Sequence, residues 1–378
     1  MSRTWSEKSI YLALPFWCSL ALIPLVWGAA IWGGMAFFLV FLATWLLFPF
    51  LDLIFGLNLE NENTDKDLSS LFWYKLLLLC WPTLQFFTIF GLIYYACSSE
   101  FSKLESIGLF LAVGAISGIV GINYSHELMH NSGRIERRLS DFLLGMVLYS
   151  HFRSEHLLVH HRYVGTPRDG VTAKYDESFY EFLFRVIPTC LASAFNAEIQ
   201  KLKRKNLRWY DFKNPFYLYL FLQLSFAALA YALGGSWGII LFFWQAFVAV
   251  FHLELVNYIE HYGLTRKYLG NGKYEHTKPH HSWNAAQKAT NWLLINLQRH
   301  SDHHYNPNRP FPLLQNFGAT EAPQLPYGYG VIGIWALFPK TWRRKMNPRV
   351  LKWREMYYPE IQDWGAYNNG SSPSQRGT

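Results

Sequence analysis

The chain of 378 residues carries few charges and many aromatic side chains. Apolar residues make up 51% of it, aromatic residues 18% and charged residues 16%, whereas about 25% of an ordinary soluble protein is charged. This composition excludes a disordered chain, a collagen-like chain and a disulfide scaffold. It also excludes an ordinary cytosolic globule, because the charges are gathered into blocks.

Long segments without charge separate these blocks. They lie between Lys8 and Asp52, Lys75 and Glu100, Glu105 and Glu127, and Lys213 and Glu254. A helix that spans a bilayer needs about 20 apolar residues, and the first and last segments are long enough for two such helices. Each of these two has a glycine-containing break near its middle, at 28–30 and at 234–238. We therefore predict an all-α membrane bundle of six spanning helices at 10–27, 31–50, 74–96, 107–125, 215–233 and 238–257.

The positive charges predict how these helices are oriented. Cytoplasmic loops of membrane proteins carry an excess of Lys and Arg. Of the 34 Lys and Arg residues, only Lys103 would lie in an outward loop if both termini are cytoplasmic. Attraction to membrane lipid then explains the net charge of +8 without a nucleic-acid partner. The expected organisation is four spans in 1–125, a cytoplasmic segment 126–213, two spans in 214–257, a cytoplasmic segment 258–367 and a disordered tail 368–378.

The 14 histidines, all beyond residue 125, form clusters with a regular spacing. The pattern H-x-x-x-H occurs at 126–130, H-x-x-x-H-H at 156–161 and 276–281, and H-x-x-H-H at 300–304. Residues three or four apart share one face of a helix, so each cluster can direct its imidazoles at one point. Several such clusters predict a metal site. We expect it at the cytoplasmic face, where the spans end and a histidine-rich cap begins.

The number of histidines indicates two metal ions. A structural zinc ion takes four ligands and a catalytic one usually three, and nine or more histidines are present. Histidine ligation without thiolates suits iron, copper or zinc. Carboxylates beside the clusters are expected to contact the ligands and balance the charge of the metal ions, and these are Glu127, Glu155, Glu254, Glu260 and Asp302.

Two other functions are considered. His126-Glu127-Leu128-Met129-His130 has the form H-E-x-x-H, in which two histidines bind zinc and the glutamate is the general base of a metalloprotease. A protease needs one zinc ion, so this motif leaves the other clusters unexplained. Metal transport predicts ligands near the middle of the membrane, where His252 is the only histidine.

The histidine boxes resemble those of the membrane di-iron superfamily of fatty-acid desaturases and hydroxylases. Three longer strings resemble the integral-membrane alkane 1-monooxygenases: N-Y-I-E-H-Y-G-L at 257–264, Y-E-H-T-K-P-H-H-S-W-N at 274–284 and L-Q-R-H-S-D-H-H at 297–304. The resemblance extends from about 49 to 346. The first box departs from the family pattern around its second histidine and the second box has an apolar filler, but both keep every histidine.

The resemblance implies a non-haem di-iron enzyme that uses O2 to hydroxylate the terminal carbon of medium- or long-chain n-alkanes. The product is a 1-alkanol. By the same resemblance, the electrons would come from rubredoxin and its NAD(P)H-dependent reductase. The chain has no iron site built from four cysteine ligands, which agrees with a separate donor or with a donor domain absent from this chain. The enzyme would lie in the inner membrane of a bacterium, with its metal site cytoplasmic. Desaturation or hydroxylation of membrane acyl lipids is the alternative within the superfamily.

Nine histidines are expected to bind the two iron ions. His261 is included because it resembles the additional ligand of membrane desaturases, and Asn257, four residues earlier, could then hold a metal-bound water. His276, His280 and His281 are expected around the ligands, since Pro279 interrupts any helix there. The nine expected ligands are His126, His130, His156, His160, His161, His261, His300, His303 and His304.

Two further sets of residues are expected to act on the alkane and on the electron donor. Phe41, Thr44, Trp45 and Phe48 lie at i, i+3, i+4 and i+7 of the second span, which is one helical stripe. We expect this stripe to line the substrate channel and limit alkane length. The basic residues Arg343, Arg344 and Lys345 are expected to dock rubredoxin, which by family resemblance is acidic.

Overall fold

The computed structural model describes residues 10–64 and 71–373, most of which are helical. It confirms the predicted fold class, because long apolar helices form a bundle that carries clustered histidines. Strands in the described residues form one antiparallel hairpin of β1 (Tyr268–Gly270) and β2 (Lys273–Tyr274). Of the predicted tail, residues up to 373 are placed, and the hydroxyls of Ser372 and Tyr274 are 2.7 Å apart. Residues 374–378 lie outside the described residues.

Four helices before residue 131 correspond to the first four predicted spans, but the break between the first two lies at Gly33 and not at the predicted 28–30. They are α1 (Ile10–Trp32), α2 (Gly34–Phe55), α3 (Phe72–Ser98) and α4 (Lys103–His130). Each is long and apolar enough to cross a membrane. A capping box begins α4, since the Ser102 hydroxyl accepts a hydrogen bond from the Glu105 N–H while the Glu105 carboxylate accepts one from the Ser102 N–H.

The later helices form the rest of the bundle and the cap. They are α5 (Arg134–Met146), α6 (152–163), α7 (Phe179–Lys203), α8 (Phe216–His261), α9 (Lys288–Leu293), α10 (His300–Tyr305), α11 (Tyr329–Ala336), α12 (Pro339–Tyr357) and α13 (Gly365–Asn368). Short 3-10 turns occur at Pro279–His281 and Phe311–Leu313.

The long helix α8 contains both of the last two predicted spans. It is broken at Gly235, whose φ of 59° and ψ of −148° are not helical. This backbone region is essentially restricted to glycine. The two halves of α8 pack closely beside the break, because a Cβ atom on Gly238 would collide with the carbonyl oxygen of Ala230. The break lies where the sequence places it, within 234–238.

Helix α7 was not predicted as a span, although it also meets the length and composition needed to cross a membrane. It lies within the predicted cytoplasmic segment 126–213 and carries charges near both ends. One face packs on α6, where the buried Glu198 carboxylate accepts a hydrogen bond of 2.8 Å from the Ser154 hydroxyl. The other face is apolar, with Phe184 79% exposed. The helix is therefore amphipathic, with its polar contacts turned inward.

Three π-helical segments interrupt the helices near the histidines. They are Leu42–Leu47 in α2, Ser117–Ile122 in α4 and His156–His160 in α6. Hydrogen bonds in a π-helix run from i to i+5, and such segments are frequent at functional sites. The wider turn rotates the side chains that follow it around the helix axis. Spacing rules based on 3.6 residues per turn therefore fail at these three places.

Glycines bring α4 and α8 into close contact, and both helices end in histidines. A Cβ atom on Gly114 would collide with the carbonyl oxygen of Gln245, and one on Gly118 would collide with that of Ala249. The side-chain amide of Gln245 donates a hydrogen bond of 2.7 Å to the Met146 carbonyl, which ties α8 to the end of α5. This packing fixes the ends of α4 and α8 relative to each other.

We expect Gly235→Ala to destabilise the protein by about 1–3 kcal/mol, because alanine is strained in this backbone conformation. The measurement is thermal unfolding of the purified protein in detergent. Gly28→Ala is the control, since Gly28 lies in α1 with helical geometry and its added Cβ would meet only Trp32, at 3.6 Å. Equal unfolding midpoints for the two variants would contradict the assignment of strain to Gly235.

Candidate metal centre

Eight histidines converge in two groups where α4 and α8 end. The first group is His126, His130, His156 and His303, and the second is His160, His261, His300 and His304. The nitrogen atoms that could bind a metal lie within 4.8 Å of one another in each group. Helices α4, α6, α8 and α10 supply these side chains, so residues far apart in the chain meet at one place.

The ninth predicted ligand, His161, lies between the groups. Its Nε2 atom is 3.2 Å from Nε2 of His130 and 3.0 Å from Nε2 of His156. Its ring centroid is 4.7 Å from that of His304, which belongs to the second group. All nine predicted ligands therefore occupy one region of the structure.

The first histidine box stays in one group, but the boxes at 156–161 and 300–304 divide between the two groups, although the spacing predicted that each box can direct its imidazoles at one point. In α6, His156 joins the first group and His160 the second. The π-helical segment His156–His160 explains this, because it brings His161, five residues after His156, beside it. In α10, which is α-helical, His300 and His304 share the second group while His303 faces the first.

The nitrogens of the first group are arranged for a cation. The Nε2 atoms of His130, His156 and His161 lie 3.0–3.2 Å from one another. Burial lowers the pKa of His156 and His161 well below the usual range, so both are neutral and each has a single N–H. In the described part of the chain, the buried Nε2 atoms of His126 and His303 have no hydrogen-bond partner. A transition-metal ion fits these nitrogen donors.

A carboxylate that the sequence analysis missed orients the second group. Asp169 Oδ2 lies 3.0 Å from His160 Nδ1 and accepts a hydrogen bond of 2.7 Å from the Thr172 hydroxyl. Because a carboxylate only accepts, Nδ1 of His160 carries the proton and Nε2 presents its lone pair to the group. That Nε2 atom lies 3.2 Å from Nε2 of His304. Asp169 follows the second box by several residues, in a loop, and no spacing rule points to it.

Glu260 lies at the edge of the second group. One oxygen is 3.2 Å from His300 Nε2, and the other accepts a hydrogen bond of 2.9 Å from the Tyr329 hydroxyl. His300 Nε2 is also 2.9 Å from His304 Nε2 and 3.2 Å from His261 Nε2. Glu260 can therefore share a metal ion with these histidines or hold a water bound to it.

Two further buried carboxyl groups lie near the histidines. Glu254 accepts hydrogen bonds from the Tyr149 hydroxyl at 2.8 Å and the Asn257 amide at 3.1 Å. Glu155 is fully buried, its oxygens have no hydrogen-bond partner among the described residues, and burial raises its pKa well above the usual range. A cation beside His156 would favour the charged form of Glu155. Both groups can thus balance the charge of metal ions.

Glu127 and Asp302 contact loops instead of histidine nitrogens. Glu127 accepts a hydrogen bond of 3.1 Å from the Phe311 N–H. Asp302 pairs with Arg309, at 2.6 Å for one of its oxygens, and accepts a hydrogen bond of 2.8 Å from the Gln315 N–H. Both carboxylates hold the loop that follows α10. The role of Glu127 as a protease base loses support, since its carboxylate is engaged by this loop.

The remaining histidine cluster is organised around a tyrosine. His280 Nε2 and His281 Nε2 lie 3.0 Å and 2.7 Å from the Tyr358 hydroxyl, which also contacts the Glu275 carboxylate. The Lys278 N–H donates to His281 Nδ1, so His281 Nε2 carries the proton. The hydroxyl thus receives two hydrogen bonds and donates one, which uses its full capacity. This network accounts for the cluster without a metal ion.

The segment that carries the histidines of the Tyr358 network is also bonded to α10. The Ser301 N–H of α10 donates to the Asn284 side chain at 2.9 Å, and the Ser301 hydroxyl donates to the Ser282 carbonyl at 3.0 Å. The segment that carries His280 and His281 is therefore bonded directly to α10. His276, by contrast, is exposed and lies outside both groups of histidines and outside the Tyr358 network.

A cavity of about 90 Å3 reaches both groups of histidines. His126 and His156 of the first group and His300 of the second line it. Most of the remaining wall is apolar, and Phe152 and Asn257 lie next to the histidines. The aliphatic part of the wall is Ile119, Ile122, Leu253, Leu255, Val256, Ile259, Leu293, Leu294 and Leu297.

Two of the four predicted channel residues line this cavity, namely Thr44 and Trp45. Phe48 is buried in the main hydrophobic core and Phe41 packs against it. The predicted single stripe assumed α-helical spacing, but Leu42–Leu47 is π-helical and turns Phe41 and Phe48 away from Thr44 and Trp45. The edge of Trp45 meets His252, with ring centroids 5.8 Å apart.

The three predicted docking cations lie on α12 in different surroundings. The Arg343 guanidinium donates hydrogen bonds of 3.0 and 2.9 Å to the Asp176 carbonyl. The Lys345 ammonium lies 5.5 Å above the Trp335 ring. Arg344 and Lys345 are exposed, whereas Arg343 is half-buried.

Comparison with known proteins places this centre in a family. A family model described as fatty acid desaturase matches residues 105–335, which contain all nine histidines. Alkane 1-monooxygenase 2 of Pseudomonas aeruginosa is 34% identical over 92% of this chain and 90% of its own length. The alkane 1-monooxygenase of Acinetobacter baylyi is 36% identical over 81% of this chain and 75% of its own length. The chain belongs to the alkane 1-monooxygenase family.

A more distant relative is the hydroxylase component of a xylene/toluene monooxygenase from Pseudomonas putida. It is 26% identical over 71% of this chain and 72% of its own length. The comparisons therefore confirm the family that the three strings resemble.

We expect His156→Ala to lose bound metal and His280→Ala to keep a measurable amount. His156 faces the first group, whereas His280 acts through the Tyr358 network, and changes around metal ligands typically lower metal affinity by only ~10–100-fold. The measurement is the iron and zinc content of the purified variants, with the parent protein alongside. Equally complete loss from both variants would show that His280 binds metal directly.

Proposed function

We propose that this protein is an O2-dependent alkane hydroxylase that converts medium- and long-chain n-alkanes to 1-alkanols at a non-haem di-iron site, with electrons from rubredoxin. The observation that carries this proposal is a largely apolar cavity that is lined by histidines of both groups. The names of the relatives support terminal hydroxylation of alkanes.

Iron is the metal that this proposal assigns to the two groups. Their donors are imidazole nitrogens with carboxylates beside them, a set that suits redox-active iron. With O2 and electrons from the donor, the iron would supply the oxidising power, and the protein supplies position and environment. The histidines of the first group and those of the second would each hold one ion, with His161 between them.

The apolar wall would bind the alkane by shape. An alkane has no hydrogen-bonding group, so contact with aliphatic and aromatic side chains is the available way to hold it. The same wall excludes water from the reacting end of the chain. Because His126, His156 and His300 line the cavity, an alkane bound with one end at these histidines would present its terminal methyl group to the metal ions.

The position of the protein in the cell is also part of this proposal. The relatives that match are bacterial proteins, and the cap carries most of the Lys and Arg residues. We therefore place the chain in the bacterial inner membrane with both termini and the cap in the cytoplasm. Rubredoxin and its NAD(P)H-dependent reductase would then reach the cap directly.

The test of this function is turnover of deuterated octane by the purified protein with rubredoxin, its reductase, NADH and O2. We expect 1-octanol that has lost one deuterium from a terminal carbon, and no product from His156→Ala. Analysis of membrane lipid in the same assay covers the alternative function. A desaturated or hydroxylated acyl chain without 1-octanol would contradict the proposal.

Trp45 and Thr44 are expected to limit the length of the alkane. Trp45→Ala should open the cavity wall and admit longer alkanes, while Thr44→Trp should favour shorter ones. One methylene group changes the free energy by which an apolar pocket discriminates between two substrates by only about 1–3 kcal/mol. The preferred alkane length should therefore shift by a few carbons. The assay is competition among alkanes of graded length, scored by their alcohol products.

Phe41→Ala is the matched control for Trp45→Ala. It also shortens an aromatic side chain of α2, but Phe41 packs against the core and does not line the cavity. An unchanged length profile in active Trp45→Ala and Thr44→Trp, or the same shift in Phe41→Ala, would place the length limit elsewhere.

The exposed cations of α12 are expected to dock the electron donor. Exchanging Arg344 and Lys345 for glutamate should slow turnover supported by an acidic rubredoxin several-fold at low ionic strength and weaken its salt dependence. Arg343 is left unchanged because it is bonded to Asp176. Lys103→Glu is the control, since Lys103 begins α4 at the end away from the histidines. Unchanged kinetics in the double variant would exclude this surface.

A further inference from the structure

A second cavity lies beside the reaction cavity and has no part in the proposed chemistry. It measures about 320 Å3 and is bounded by α7, the loop before α8 and the first turns of α8. His151 lines it, while the next residue, Phe152, lines the reaction cavity. The two consecutive residues at the start of α6 therefore separate the cavities.

His151 is a buried histidine with an unpartnered ring nitrogen. It is 8% exposed, and its buried Nε2 atom makes no hydrogen bond within residues 10–64 and 71–373. A buried polar group left without a partner destabilises the folded protein. A bound molecule that supplies the missing hydrogen bond would account for such a group.

The chemistry of the wall limits what this molecule can be. Its polar groups are neutral, and none of the lining residues is Asp, Glu, Lys or Arg. Burial lowers the pKa of His151 to about 4, so its ring is uncharged near neutral pH and offers one donor and one acceptor. A phosphate or carboxylate would seek Arg or Lys. A single hydroxyl group matches a neutral imidazole without any charge.

The rest of the wall suits an alkyl chain. Phe195, Trp209 and Phe216 contribute aromatic surface. Two of the lining leucines reach the surface, since Leu191 is 49% and Leu220 is 56% exposed. A ligand with an apolar chain can therefore enter from the lipid and leave into it.

We propose that this cavity is a binding site for a primary alcohol, with the hydroxyl group on His151 and the alkyl chain along the aromatic wall. The choice of a primary alcohol rests on the proposed function, whose product belongs to this class. His151 of this site and Phe152 of the reaction cavity are consecutive residues, and the exposed Leu191 and Leu220 open the site towards the lipid. It gives the product a place outside the reaction cavity before it enters the membrane.

The test uses two photoreactive probes on the whole protein in lipid nanodiscs. One is a 1-decanol that carries a diazirine on its chain, and the other is the matched decane without the hydroxyl group. Labelled peptides are mapped by mass spectrometry. We expect the alcohol probe to label the segments around Phe195, Trp209 and Leu220 at least several-fold more than the alkane probe. An excess of 1-decanol should displace it, and an excess of phospholipid should not.

Two variants and a control locate the site. His151→Phe keeps the ring volume but removes the hydrogen-bonding nitrogens, so the ratio of alcohol to alkane labelling should fall towards one. Leu220→Trp should fill the rim and reduce labelling by both probes. Leu224→Trp is the control, because Leu224 is 60% exposed on the same helix and does not line the cavity.

Several outcomes would overturn this proposal. They are equal labelling by the two probes in the parent protein, displacement by phospholipid, and an unchanged labelling ratio in His151→Phe. If His151→Phe does not fold, the comparison of Leu220→Trp with Leu224→Trp decides, since equal labelling of these two would also overturn it. Labelling needs neither O2 nor an electron donor, so it is read independently of alkane turnover.

Discussion

The close approach of nine imidazoles is the constraint on which the rest of this structure depends. Nitrogens such as those of His130, His156 and His161 lie about 3 Å apart, and this spacing lets one cation bind several of them. The four helices that supply the histidines must therefore be held in fixed positions relative to one another. Glycines that bring α4 against α8, and hydrogen bonds from the loops to α10, provide this rigidity.

The carboxylates around the histidines divide into two kinds by their contacts. Asp169 and Glu260 lie against ligand histidines and so can set the orientation of their rings. Glu127 and Asp302 instead hold the loop after α10. The centre is thus supported both by direct bonds to the rings and by bonds to the backbone that carries them. The Tyr358 network adds a third support, from the C-terminal part of the cap.

The sequence predicted the parts of this structure that depend on composition and simple spacing. The apolar segments, the break near Gly235 and the nine histidines that meet in the cap could all be read from it. The division of the second box between two groups could not, because it depends on the π-helical segment His156–His160 and periodicity rules assume α-helices. The same cause moved Phe41 and Phe48 away from the cavity that Thr44 and Trp45 line.

Other features were missed because their meaning lies in contacts between distant residues. Asp169 and Tyr358 carry no motif of their own, and only the folded chain places them against His160 and His281. Helix α7 was not predicted as a candidate span because the sequence shows its charged residues but does not show that some of them are buried against other helices. Glu198, for example, faces Ser154 inside the protein.

The central claim is that two groups of imidazoles each hold an iron ion, and the most direct test is metal analysis combined with X-ray absorption at the iron edge. The account predicts close to two iron ions per chain, each surrounded by nitrogen and oxygen atoms at distances typical of imidazole and carboxylate ligands, with no sulfur. A single metal ion per chain, or zinc in place of iron in an active preparation, would contradict it.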